Sequence, residues 1–255
     1  MLANALCENN TLTSLDLYLN QLGSEGGKAI ANALYKNNSL MFLDLSYNGL
    51  GSERGNALIK ALCNNKTLTT IDISSNKLGS DIGNVLAVTL CKNTSLTTLY
   101  ISNNDLGCLG VKPIADALIE NNNLISLNLL SNQFGSLGGK ALANALCYNN
   151  ILATLDIYSN HLGLEGGKAL ASALCKNKGL TSLDLLYNKL GNNMGEELVE
   201  VFHTNTTLST LKFNGNEFNP EIVKQLEEKI KIKSDNLDVE LDSDDYENDS
   251  TVTVC

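Results

Sequence analysis

The feature that most constrains this chain is a spacing of 28 residues, kept without a break by three columns of identical side chains. Leucine recurs at Leu12, Leu40, Leu68, Leu96, Leu124, Leu152, Leu180 and Leu208. Asparagine recurs at Asn20, Asn48, Asn76, Asn104, Asn132, Asn160, Asn188 and Asn216, and again at Asn9, Asn37, Asn65, Asn93, Asn121, Asn149, Asn177 and Asn205. Such a fixed period marks a solenoid, whose units bury their apolar faces only against their neighbours. The 255 residues, 43% apolar, therefore form one elongated domain and not one or two globular ones.

One unit, LTSLDLYLNQLGSEGGKAIANALYKN from Leu12 to Asn37, reads as a strand, a tight turn and a helix. Its L-x-x-L-x-L-x-x-N pattern (Leu12, Leu15, Leu17, Asn20) resembles the leucine-rich repeat. The 28-residue period, Gly23 with Gly27, and the closing Ala31 to Leu34 resemble the ribonuclease-inhibitor type, closest to the repeats of NOD-like receptors. The likeness covers residues 1 to 218. It implies an α/β horseshoe with parallel strands on the concave face and α-helices on the convex face. Strands stack ~4.8 Å apart, whereas packed helices need ~8–10 Å, and that mismatch bends the array.

The chain divides into four parts. Residues 1–11 match the second half of a repeat helix, so the chain opens in mid-unit and an upstream or docked neighbour is expected there. Residues 12–218 hold the array of eight strands. Asn219-Pro220-Glu221 starts a different helix over 219–233, with an N-cap side chain, a proline at its first position and an acid in its first turn. Residues 234–255 are acidic with few apolar side chains, and disorder is expected.

Charge and cysteine content narrow the functional classes. All 18 Lys and Arg precede residue 234 among 20 acids, and the last 22 residues carry a further eight acids. No basic field exists to neutralise phosphates, which argues against nucleic acid as a partner. No apolar run approaches a membrane span, and Met1 to Cys7 lacks the form of a signal peptide. Cys7, Cys63, Cys91, Cys147 and Cys175 share one column, too widely spaced for disulfides and expected to be small buried apolar residues. Free thiols imply the cytoplasm. The N-x-S/T sequons at Asn9, Asn37, Asn65, Asn93 and Asn205 fall in the post-helix column, where a left-handed helix cap is expected of asparagine.

No motif carries catalysis. GSEGGKA, Gly23 to Ala29, follows a strand and opens a helix as a phosphate loop does, but it is one residue short and Ala29 stands where magnesium needs a hydroxyl. Its glycines suit a turn and close helix packing. His161 and His203 fall in different columns, His203 reads as a packing residue, and no C-x-x-C occurs. No cofactor and no metal site are indicated. Pro113 is expected in the first turn of the fourth full helix, where no intrahelical hydrogen bond is lost.

Function is expected on the concave face. The central strand column reads Asp16, Asp44, Asp72, Tyr100, Asn128, Asp156, Asp184, Lys212, and the next reads Tyr18, Ser46, Ser74, Ser102, Leu130, Tyr158, Leu186, Asn214. Aromatic and apolar side chains beside acids resemble interface anchors. Tyr158, Leu186 and Tyr187, with Leu130 and framed by Asp156 and Asp184, form the leading candidate site. Tyr18, Phe42 and Tyr47 with Asp16 and Asp44 form a second. The expected function is a non-enzymatic scaffold binding a protein, with the acids favouring a basic one. Two further readings come from resemblance: a GTPase-activating protein of the Ran-activator type, which also joins such repeats to an acidic end, and a ligand-sensing fragment of a NOD-like receptor.

Overall fold

The structure is a computed structural model that describes residues 2–243, with side chains placed through 233. Helix α1 (Leu2–Glu8) opens it. The strands are β1 (Ser14–Asp16), β2 (Phe42–Asp44), β3 (Thr70–Asp72), β4 (Thr98–Tyr100), β5 (Ser126–Asn128), β6 (Thr154–Asp156), β7 (Ser182–Asp184) and β8 (Thr210–Lys212). Between them lie α2 (Gly23–Leu34), α3 (Gly51–Leu62), α4 (Ile82–Lys92), α5 (Gly107–Leu118), α6 (Gly135–Tyr148), α7 (Gly163–Leu174) and α8 (Asn192–Thr204), and α9 (Pro220–Ser243) closes the array. The strands form one parallel sheet in sequence order, each paired with the next in a register of one repeat, as in Leu155 with Leu183. This is the α/β leucine-rich-repeat solenoid that the period implies.

Most of the strands are stopped by their own sequence. The carboxylate Oδ1 of Asp44 accepts the N–H of Ser46 at 2.8 Å, and Asp16, Asp72, Asp156 and Asp184 do the same for the N–H two residues on. That local bond replaces a strand bond with a turn. Left-handed residues follow, at Leu19, Tyr47, Ser75, Asn103, Ser131, Ser159, Tyr187 and Gly215, with φ between 53° and 74°.

The two asparagine columns are two buried ladders. The Asn104 amide donates to the carbonyls of Ile73, Ile101 and Ser102, and its Oδ1 accepts the N–H of Asn76 at 2.9 Å. Asn65 donates to Leu34 O and Asn37 O and accepts the N–H of Leu68. This second column is not left-handed as expected: Asn93 has φ −76° and ψ 132°, an extended conformation that turns the amide inward. Asn37, Asn65, Asn93 and Asn205 are buried, so these sequon side chains are structural in the folded chain.

Where the helices begin bears on other expectations. Helix α2 starts at Gly23, so GSEGGKA opens the helix as expected and offers no phosphate loop. Its Gly27 does admit close packing, since a Cβ there would lie 3.0 Å from Leu50 Cδ2, and at Gly83, in the same column, a Cβ would lie 2.1 Å from the Gly110 carbonyl oxygen. Pro113 sits inside α5, not in its first turn, which leaves the carbonyl of solvent-exposed Leu109 without its intrahelical partner. The cysteines are half-buried, with Cys91 and Cys175 exposed; all six described ones are free thiols, and Cys255 lies outside the described residues. His203 is exposed and is not a packing residue.

At the C-terminal end, Asn219 caps α9 as its sequence indicates, with Oδ1 accepting the N–H of Ile222 at 2.9 Å. The helix runs to Ser243, ten residues beyond the expected end, and takes up the start of the segment read as disordered; residues 244–255 lie outside the described ones. Lys229, Lys231 and Lys233 are therefore mid-helix and do not cap its C-terminus. Lys233 stands one repeat beyond Asn205, and its ammonium donates to Asn205 O and to Leu208 O, taking the place of the next ladder asparagine.

Candidate functional site

The turn that ends each strand decides which side chains of the concave face are free. Because Asp156 and Asp184 use Oδ1 to bind the Tyr158 and Leu186 N–H groups, only Oδ2 is left to each for other work. Asp156 Oδ2 accepts from Asn128 Nδ2 at 2.9 Å, and Asp184 Oδ2 lies 3.2 Å from the Lys212 ammonium. Burial pushes the Asp156 carboxyl above the ordinary carboxylate value, with Asp184 adding to the rise against hydrogen bonds that lower it. Asp72 is raised for the same first reason, with Asp44 as its acidic neighbour. The column thus ends strands before it attracts anything.

The tyrosines are better placed. Tyr158 and Tyr187 meet edge to face with ring centroids 5.3 Å apart, a favourable aromatic geometry. Tyr187 is 56% exposed and Tyr158 half-buried. Tyr187 holds a left-handed φ of 54°, unusual for an aromatic residue, and its ring lies against Gly215. A Cβ at Gly215 would come within 2.7 Å of that ring, so only glycine gives it a seat. Leu186 and Leu130 are half-buried, and Leu186 lines a crevice of about 430 Å³ at the edge of the sheet.

The second candidate cluster is assembled only in part. Tyr18 and Tyr47 form an edge-to-face pair at 5.4 Å, each half exposed. Phe42 and Asp44 are half-buried on β2, Asp16 is exposed, and Phe42 joins neither ring pair. Ser46 and Ser74, expected on the open face with Tyr18, are buried.

Sequence reasoning missed the crevice beside Leu186. Its other walls are Leu211, Lys212, Phe213 and Asn214 from β8 and its exit, and Glu227, Ile230 and Lys231 from α9. The signal was present in the last repeat as the first basic residue of the central column, Lys212, the first aromatic of a Leu/Ile column, Phe213, and the first glycine of its column, Gly215.

Among the described residues no helix is long and apolar enough to cross a membrane, and no group of three or more acidic, histidine or cysteine side chains could hold a metal. Three solved structures are similar in fold. The tropomodulin C-terminal domain from Caenorhabditis elegans is 17% identical with a TM-score of 0.49, over 56% of this chain and 88% of that one. Actin-binding site 2 of leiomodin-1 is 18% identical with a TM-score of 0.48, over 76% and 95%. LegL7 from Legionella pneumophila, a leucine-rich repeat-containing protein, is 21% identical with a TM-score of 0.42, over 87% and 93%. No curated protein sequence matches the chain. Residues 8–31, 36–53, 64–87, 92–115, 120–143 and 148–171 match the Leucine Rich repeat family, and together they make up more than half of the chain. Period, ladders and sheet agree with that match, and the chain belongs to the leucine-rich-repeat family.

Proposed function

We propose that this chain is a non-enzymatic protein-binding module that holds its partner on the concave face around Tyr158 and Tyr187. The observation that carries this reading is the preorganised ring pair, with Tyr187 more than half exposed and fixed by a left-handed backbone over Gly215. A tyrosine already held in place offers large contact area at little entropic cost. Leu186 and Leu130 extend the apolar patch. Asp156 and Asp184 frame it, Asp156 accepting from the Asn128 amide and Asp184 with its charge offset by Lys212. Attraction of a basic partner falls more to Asp16 and Asp44, near the other tyrosine pair.

Six free thiols support a reducing compartment, the cytoplasm. The 28-residue period supports the ribonuclease-inhibitor type and its likeness to NOD-like receptors. Sensing by a receptor fragment and GTPase activation would use the same scaffold, and a GTP-hydrolysis assay with small GTPases separates the latter from simple binding.

The test begins with partners captured on the full chain. Tyr158→Ala and Tyr187→Ala should each weaken capture by about 2 kcal/mol, the loss expected of an interface anchor. Thr98→Ala, a half-buried position on the same face, should leave it unchanged. A greater loss from the threonine change would move the site elsewhere.

A further inference from the structure

We propose that the open edge of β8, together with α9, is a docking groove for an extended segment of a partner protein, added parallel to β8 as a ninth strand and carrying an acidic residue between two apolar ones. The proposal deepens the concave-face reading, since Leu186 and Lys212 belong to both surfaces.

Main-chain donors point to an extended occupant. In seven successive repeats one N–H binds a carbonyl on the next strand: Leu17 to Asp44, Leu45 to Asp72, and so on to Leu185, which binds Lys212 O at 2.7 Å. A second set runs from Leu19 to Tyr187, which binds Asn214 O at 3.1 Å. The eighth members of the two sets are Phe213 and Gly215, and neither N–H has a partner among the described residues. They are two residues apart, the spacing at which one strand presents successive donors to one neighbour.

The crevice of about 430 Å³ lies along this edge, with Leu211 and Phe213 on one wall and Ile230 of α9 on the other. Charge fixes what the middle residue must be. The carbonyl that takes the Leu185 N–H belongs to Lys212, which is also the cross-strand neighbour of Asp184. By the same register, the peptide residue whose carbonyl takes the Phe213 N–H would stand beside Lys212. That ammonium holds Asp184 at 3.2 Å while its side chain stays 62% exposed, so a second carboxylate can reach it. The residues before and after it would face inward, as Leu211 and Phe213 do, and enter the apolar crevice.

The experiment uses the full chain and two end-blocked peptides: TSLDLY, the run from Thr13 to Tyr18, and its charge-reversed form TSLKLY. Amide hydrogen exchange is read at Phe213 and Gly215. Both amides should exchange freely in the chain alone, and TSLDLY should slow both by about tenfold, as pairing to a strand does. TSLKLY should bind at least about tenfold more weakly, and Lys212→Glu should reverse the preference. Slow exchange in the chain without peptide would show the edge already filled from within the chain and overturn the proposal. Binding without protection of these amides, or without a charge preference, would also overturn it. Either failure leaves the tyrosine reading standing if Tyr187→Ala still weakens partner capture, while loss of that effect with the amides protected would leave only the edge.

Discussion

The two tyrosine pairs make an instructive comparison, because the repeat presents the same chemistry twice and the two ends of the solenoid treat it differently. Tyr18 with Tyr47 and Tyr158 with Tyr187 have nearly equal ring separations and the same edge-to-face arrangement. Around the first pair the array is open. Leu12 is 39% exposed, Asp16 and Asn20 are exposed, and the Asn20 amide donates only to Tyr18 O. Around the second pair the ladder is complete: Asn160 and Asn188 each donate to three carbonyls, and Lys233 of α9 takes the Asn205 and Leu208 carbonyls at the end of the other ladder, while the edge of β8 stays open. Local sequence sets the ring pair. Neighbouring repeats set whether it stands on a firm floor.

The largest effect that sharpens this contrast is on the ladder. Asn104→Ala removes five bonds to buried backbone groups and should lower stability by about 2–4 kcal/mol. Asn20→Ala, in the same column at the open end, should cost no more than about 0.5 kcal/mol. Urea denaturation midpoints compare the two, and equal shifts would remove the distinction between interior and end.

Next comes binding. If the firm floor matters, Tyr187→Ala should reduce partner affinity by about 2 kcal/mol, and Tyr47→Ala, which breaks the other pair, by less than half of that. Titration calorimetry with a captured partner decides, and the reverse order would place the anchor at the N-terminal pair.

A smaller effect concerns charge. The folded state raises the Asp156 carboxyl, so it holds that proton more tightly than the unfolded chain does. Its contribution to stability is full below the ordinary carboxylate value and is lost as pH rises through the raised one. Asp156→Asn keeps an Oδ1 for the Tyr158 N–H and is compared within an Asn128→Ala background, so that no amide donor faces the new Nδ2. At neutral pH it should therefore gain a few tenths of a kcal/mol, about the scale of partly exposed charges, and at pH 3 nothing. A loss at neutral pH would mean the carboxylate attraction to Lys212 outweighs the burial cost. The smallest expected effect is none: the thermal midpoint should be the same with and without reductant, since the described cysteines are free.

The sequence alone determined the period, the strand–helix unit, the register of the sheet and the position of both tyrosine pairs, because each depends on residues repeating at a fixed interval. Even Asn219 as a helix cap was legible, being a local signal. Tertiary structure decided the rest. Alternation suggested that Asp156 and Asp184 offered free charge, but the bond each makes two residues on, and the partner each meets one repeat away, depend on loop geometry and stacking. Asparagine after the helix looked like a left-handed cap, yet the buried carbonyls of the preceding repeat hold it extended. The crevice between β8 and α9 left only breaks in the columns of the last repeat as its trace in the sequence. It lies between elements joined by no repeat, and only the packing of the last helix against the last strand creates it.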